Sequence, residues 1–212
     1  LNDKGLLALR DVSLRVCSGE VLGVAGVSGN GQRELAETVT GLRKATGGRV
    51  FVKGQDLTNK TPLRFIRAGV CHIPGDRVGM GLAGNLPVSD NLIMKAFRQP
   101  PLAAGPFLSR PAVAKFADKL IKAFDVLTPN RDTPARNLSG GNQQKAILAR
   151  EISAGQAQGV DDRPILVAVQ PTRGLDVGAT ESVRKALLEQ RNRGTAILLI
   201  SEDLDELLAL SD

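Results

Sequence analysis

A chain of 212 residues has room for one large core, or for a core with a smaller lobe attached. Hydrophobic residues at 42% and charged residues at 24% exclude a disordered or membrane-embedded chain, and no apolar run reaches the roughly 20 residues needed to cross a bilayer. The net charge of +6 is scattered, and without Trp or Tyr there is little aromatic surface for stacking bases, so nucleic acid is not an expected partner.

Cys17 and Cys71 are the only cysteines and His72 is the only histidine, which predicts reduced, buried thiols and no metal site. The N-terminus shows no basic segment followed by an apolar signal core. The first residue is Leu1 rather than Met, and Ser211-Asp212 follow a helical stretch directly, so a longer parent polypeptide is expected.

In chain order, Glu20 to Ala25 reads as a short buried strand. A glycine-rich turn follows, and then Glu34 to Leu42, with Leu35, Val39 and Leu42 at helical spacing. The turn, Gly26-Val27-Ser28-Gly29-Asn30-Gly31-Gln32-Arg33, stands where backbone N–H groups at a helix start can surround phosphates. A full P-loop continues after its last glycine with Lys, then Ser or Thr for Mg²⁺; here those places hold Gln32 and Arg33. The amide cradle remains and Arg33 offers another cation, which predicts weak nucleotide binding without fast hydrolysis. Taken alone, Gly26, Gly29 and Gly31 favour a plain tight turn, so the other motifs decide.

The middle of the chain is punctuated by Pro87, Pro100, Pro101, Pro106 and Pro111. Beyond them Val113, Phe116, Leu120, Ile121 and Phe124 mark one face of a helix, which predicts a helical lobe at 85–147 inserted into an α/β core of 1–84 and 148–212. Leu138-Ser139-Gly140-Gly141-Asn142-Gln143-Gln144-Lys145 opens a further helix and offers a hydroxyl and free N–H groups to an anion, though an ordinary Ser cap would look similar. Ser153 to Arg163 lacks periodicity and reads as an exposed loop. Ile165 to Val169 and Ala196 to Ile200 have the composition of buried parallel strands, with a helix between them over Ala179 to Gln190.

The order of the turn at 26–33, LSGGNQQK at 138–145, Gln170-Pro171-Thr172-Arg173-Gly174-Leu175-Asp176 after a strand, and Ser201-Glu202-Asp203 resembles an ABC nucleotide-binding domain along nearly the whole chain. GVSGNGQ, LSGGNQQK and QPTRGLDVGA are similar to the second ATP-binding half of the tandem ATPases in simple-sugar and nucleoside importers. His72-Ile73-Pro74, Phe124-Asp125-Val126 and Asp132-Thr133-Pro134-Ala135-Arg136 favour the nucleoside branch. The resemblance implies a P-loop NTPase fold, α/β with a mostly parallel sheet, the inserted helical lobe and an antiparallel β edge at the N-terminus.

It also implies which catalytic positions have changed. The family's Asp-Glu pair before Pro171 is Val169 and Gln170, its switch histidine is Glu202, and its Q-loop position is Gly75, beside Asp76 and Arg77. The adenine-stacking aromatic expected before the P-loop is missing, since Phe51 is the first aromatic residue. Because ABC domains pair head to tail, Leu138, Ser139, Gly140, Gly141, Asn142 and Gln143 would serve ATP held by an intact partner half, while Gly174, Leu175 and Asp176 would lie at the dimer seam. ATP is the implied ligand, with Mg²⁺ mainly at the partner's competent site. The implied partners are a second nucleotide-binding domain, transmembrane permease subunits near Gly79 to Asn91, and indirectly a solute-binding protein. The implied location is peripheral, on the cytoplasmic face of the cell membrane.

Two readings compete with the importer half. A soluble ABC-type ATPase of ribosomes or DNA should carry basic arms or coiled-coil insertions, and none is visible. A regulatory module would sense nucleotide without hydrolysing it. A stand-alone kinase needs the missing Lys and carboxylates in its own chain.

Overall fold

A computed structural model describes residues 3–27, 29–157 and 164–212. The chain divides into two compact units: Leu1–His72, Val160–Gln170 and Leu187–Asp212 form the first, and Ile73–Gly159 with Pro171–Ala186 form the second. Among the described residues no helix is long and apolar enough to cross a membrane.

The first unit is built on a four-stranded sheet in the order β1-β8-β7-β4, formed by β1 (Val21–Ala25), β4 (Val70–Ile73), β7 (Ile165–Val169) and β8 (Ala196–Ser201). β8 runs parallel to both β1 and β7, with Ala25 opposite Ser201 and Val169 opposite Ile200. Every residue of β8 is buried, as its unbroken apolar run requires of a strand covered on both faces. Leu35 and Ala36 of α1 (Gln32–Val39) pack with Phe65 of α2 (Pro62–Arg67), Val70, Val167, Leu198 and Ile200 into one core. On β1, α7 (Leu204–Leu210) lies so close that a side chain at Gly23 would meet Ser211 Oγ at 2.7 Å.

In this unit the helix expected over Glu34 to Leu42 begins earlier and ends earlier. Gly31 turns the chain into α1, and Thr40 ends it ahead of Gly41, whose φ of 76° leaves the helical region. Leu42 is consequently exposed rather than on the buried face. The antiparallel component is a short hairpin, β2 (Phe51–Val52) with β3 (Gln55–Asp56), and none of the described residues ahead of β1 is in a strand. That segment is held by individual contacts instead, such as Cys17 N donating to Glu20 Oε2. Of the two thiols expected to be buried, Cys71 is buried and Cys17 is exposed on this irregular stretch.

The second unit is mainly helical: α3 (Val88–Ile93), α4 (Arg110–Ala123), α5 (Gly140–Ala157) and the first part of α6 (Val177–Asn192), with a π-helical turn at Arg77–Gly81 and a 3-10 turn at Ala135–Asn137. It reaches further along the chain than 85–147, because α5 packs on α3, α4 and the π turn. Val113, Ala117 and Leu120 are the buried face of α4, while Phe116, Ile121 and Phe124 flank it. Ser109 caps α4 by accepting from Ala112 N, and the preceding hairpin β5 (Ala103–Ala104) with β6 (Phe107–Leu108) occupies the proline-rich stretch. The loop expected at Ser153 to Arg163 is a correction over its first five residues: α5 continues to Ala157, because the buried face that contains Ile147 and Arg150 extends through buried Ala154. Residues 158–163 lie outside the described residues.

Charges are also buried here. Glu151 is fully buried between Lys95 and Arg150, and Arg150 Nη1 donates to the carbonyl of Gly81 at 2.7 Å. The Asn91 carboxamide accepts from Ala83 N and donates to the carbonyls of Ala83 and Pro87, which fixes the loop before α3.

Candidate nucleotide-binding elements

In the first unit, β1, β8 and β7 end side by side, and the turn at 26–31, Glu202 and Gln170 follow those ends. The carboxyl ends of parallel strands are where α/β sheets place ligands. Gly29 and Gly31 have φ of 91° and 97°, and Gly31 N-caps α1. Ser28 lies outside the described residues.

Gln32, in the Lys place, turns back onto the loop: Nε2 donates to the Val27 carbonyl at 2.6 Å and Oε1 accepts from Asn30 N at 3.1 Å. Its amide also fills the space that a side chain at Gly26 would need. Arg33 points to other partners. Nε donates to Glu37 Oε1 at 2.7 Å, Nη1 lies 3.3 Å from Asp3, and Arg43 bridges the same two carboxylates. The hydrogen bond to Glu37 raises the Arg33 pKa, and the hydrogen bond from Arg43 holds the Asp3 carboxyl below its usual range.

Val169 lies in the ladder opposite Ile200. Gln170 follows with φ of 45°, its N–H donating to the Ile200 carbonyl at 2.7 Å. Glu202 is exposed, whereas the preceding Ser201 hydroxyl donates to buried Glu206 at 2.6 Å. Among the described residues no group of three or more His, Cys, Asp or Glu side chains could hold a metal ion. The fit to nucleotide is therefore divided: backbone N–H groups at a helix start suit phosphate, but Val169, Gln170 and Arg33 offer Mg²⁺ no anionic ligand.

The second unit contains the segment expected to be the signature, LSGGNQQK. Ser139 precedes α5, and its hydroxyl accepts from Asn142 N at 3.4 Å and from Asn142 Nδ2 at 2.9 Å. Asn142 Oδ1 in turn accepts from Leu127 N, and Lys145 binds both the carbonyl and the carboxylate of Asp125. Gln143 Nε2 donates to the Leu138 carbonyl at 3.2 Å. The LSGGNQQK segment is thus anchored to the turn at 125–127, with Ser139 itself exposed and Leu138 buried.

Gly140 faces the segment 173–175: a side chain there would lie 3.8 Å from both Arg77 Nη2 and Leu175, and 4.0 Å from the Gly174 carbonyl. Arg77 Nη1 donates to the Arg173 carbonyl at 2.6 Å. Desolvation, and then the neighbouring Arg173 charge, lower the Arg77 pKa. Gly75, Asp76, Arg77, Val78, Arg173 and Gly174 line an open cleft of about 360 Å³. Asp76 caps the π turn by accepting from Val78 N and Gly79 N, and Asp176 caps α6 by accepting from Ala179 N at 2.8 Å. The structure therefore brings together the residues expected at the Q-loop, the signature and the 174–176 turn. The link from Arg77 to the Arg173 carbonyl has no signal in the sequence beyond the presence of a basic residue.

A family model described as ABC transporter matches residues 9–159. The glucose import ATP-binding protein TsgD13 of Haloferax volcanii is 50% identical over 213 residues, covering 100% of this chain and 38% of the relative. The guanosine import ATP-binding protein NupO of Bacillus subtilis is 47% identical over 210 residues, covering 99% of this chain and 40% of the relative. The chain thus spans about two fifths of the length of these relatives. Among solved structures, a nucleotide-free ATP-binding cassette from an ABC transporter superposes with a TM-score of 0.77 at 26% identity, covering 97% of this chain and 79% of that one. Another cassette, in its ADP conformation, gives 0.75 at 25% identity, covering 97% and 79%. With the ABC ATPase P-loop fold and a match over most of its length, this chain belongs to the ABC transporter family.

Proposed function

We propose that this chain is the second nucleotide-binding domain of an importer for nucleosides or simple sugars, and that it donates its signature in trans while its own site does not turn over. The observation that carries the reading is the contrast between an anchored, exposed Ser139 and altered Gln32, Val169, Gln170 and Glu202. The names of TsgD13 and NupO, glucose and guanosine import, support the substrate class.

In this reading an intact partner half in the same polypeptide binds ATP with Mg²⁺, and Ser139 with the amides after it stabilises the γ-phosphate. The degenerate site acts as a clamp, since a ligand well above its dissociation constant favours the closed form by RT ln(1 + [L]/Kd). Transmembrane permease subunits receive the motion at the cytoplasmic face of the membrane, and a solute-binding protein delivers the cargo.

The test is Ser139→Arg in the full-length polypeptide assembled with its permease. Loss of both ATP turnover and solute uptake is expected. Unchanged turnover overturns the donation in trans.

A further inference from the structure

The side chain at position 32 is more than a missing lysine. It is the right length to reach back from the first residue of α1, and it meets the loop with both ends of its carboxamide. Oε1 accepts from the Asn30 N–H, one of the donors a phosphate oxygen would use and one that also reaches the Val27 carbonyl at 3.3 Å, and Nε2 ties that same carbonyl. The same amide lies against Gly26, filling the space left by the glycine. A carboxamide accepts at one end and donates at the other; lysine only donates, and would leave the Asn30 N–H with its longer, 3.3 Å bond to the Val27 carbonyl alone.

We propose that Gln32 is an internal ligand of the phosphate loop, and that a nucleotide must displace its carboxamide before the β- and γ-phosphates can engage Asn30 N–H. This rests on reading residues 26–33 as the nucleotide loop. Gln32 then sets the affinity of the degenerate site: phosphate gains charge-assisted bonds from the loop, but only after the neutral pair at Val27 and Asn30 is broken. Each such bond is worth a modest net amount, so removing both should tighten ATP binding about tenfold.

The experiment titrates ATP calorimetrically into the chain and into Gln32→Ala and Gln32→Asn. The Asn side chain keeps the amide but is one methylene short of Val27. About tenfold tighter binding in both variants, with the Gln32 side-chain NH₂ resonance of the unmodified chain shifting as ATP is added, is the expected result. No gain in Gln32→Ala, including undetectable binding throughout, overturns the proposal. A gain in Gln32→Ala alone overturns it too, because polarity rather than reach would then be the cause. Failure of the wider reading has a different signature, rapid ATP turnover by the chain, which these affinities do not report.

Discussion

Gly141 and Ala179 approach so closely that a β-carbon on Gly141 would lie 2.7 Å from the Ala179 methyl group. The starts of α5 and α6 touch here through a glycine, which accounts for a residue without a side chain in the first turn of α5. Alanine is the better helix former, by up to about 1 kcal/mol in a helix interior, but overpacking costs about 1–3 kcal/mol. Gly141→Ala is therefore expected to lower the melting temperature. Adding Ala179→Gly should recover part of the loss, and thermal denaturation of the two single variants and the double variant checks this.

The buried ion group offers a larger effect. Glu151 has no exposed surface and is ion-paired with both Lys95 and Arg150. Glu151→Ala leaves the buried Arg150 without its carboxylate and is expected to cost about 3–5 kcal/mol. Denaturant unfolding should show a lower midpoint with an unchanged slope.

Arg77 bears on local order rather than global stability. Its bond to the Arg173 carbonyl steadies the turn in which Leu175 N–H donates to Thr172 O. Arg77→Met keeps much of the apolar stem and removes the donor. Amide exchange at Leu175 should quicken several-fold while exchange in α4 stays unchanged, as hydrogen-exchange mass spectrometry or NMR would detect.

Much of this was legible in the sequence because the decisive signals were local. The buried strands Ile165 to Val169 and Ala196 to Ile200, the α4 face from Val113 and the LSGGNQQK helix start each announce themselves within a few residues. What stayed hidden depends on distance along the chain. The i,i+4 spacing allows Arg33 to pair with Glu37, but nothing around Arg33 shows that Asp3 and Arg43 join them, and nothing around Cys17 shows that its segment stays irregular and exposed. The end of α5 was lost because Ser153, Gly155 and the glutamines weaken a periodicity that buried Ala154 continues.

The N-terminal ion network carries a pH dependence whose sign follows from Asp3. Arg43, by hydrogen bond and charge, with Arg33 adding charge, depresses the folded carboxyl pKa from its ordinary 3.8. A depressed folded pKa contributes stability that is present above the unfolded value and is lost as pH falls through the folded one. Tethering of the N-terminal segment should therefore hold above about pH 4 and loosen below it. Because the carboxyl is exposed, high salt should weaken the effect. NMR titration of Asp3 at low and high salt, with Arg43→Gln as the comparison, would reveal both trends.

The central claim is that this domain contributes to ATP hydrolysis only through a partner's site. It is tested most directly by steady-state hydrolysis of ATP with Mg²⁺ by the 212-residue chain alone. The account predicts turnover indistinguishable from a blank lacking protein. Brisk hydrolysis that survives Ser139→Arg would contradict it and would return catalysis to Arg33, Gln170 and Glu202.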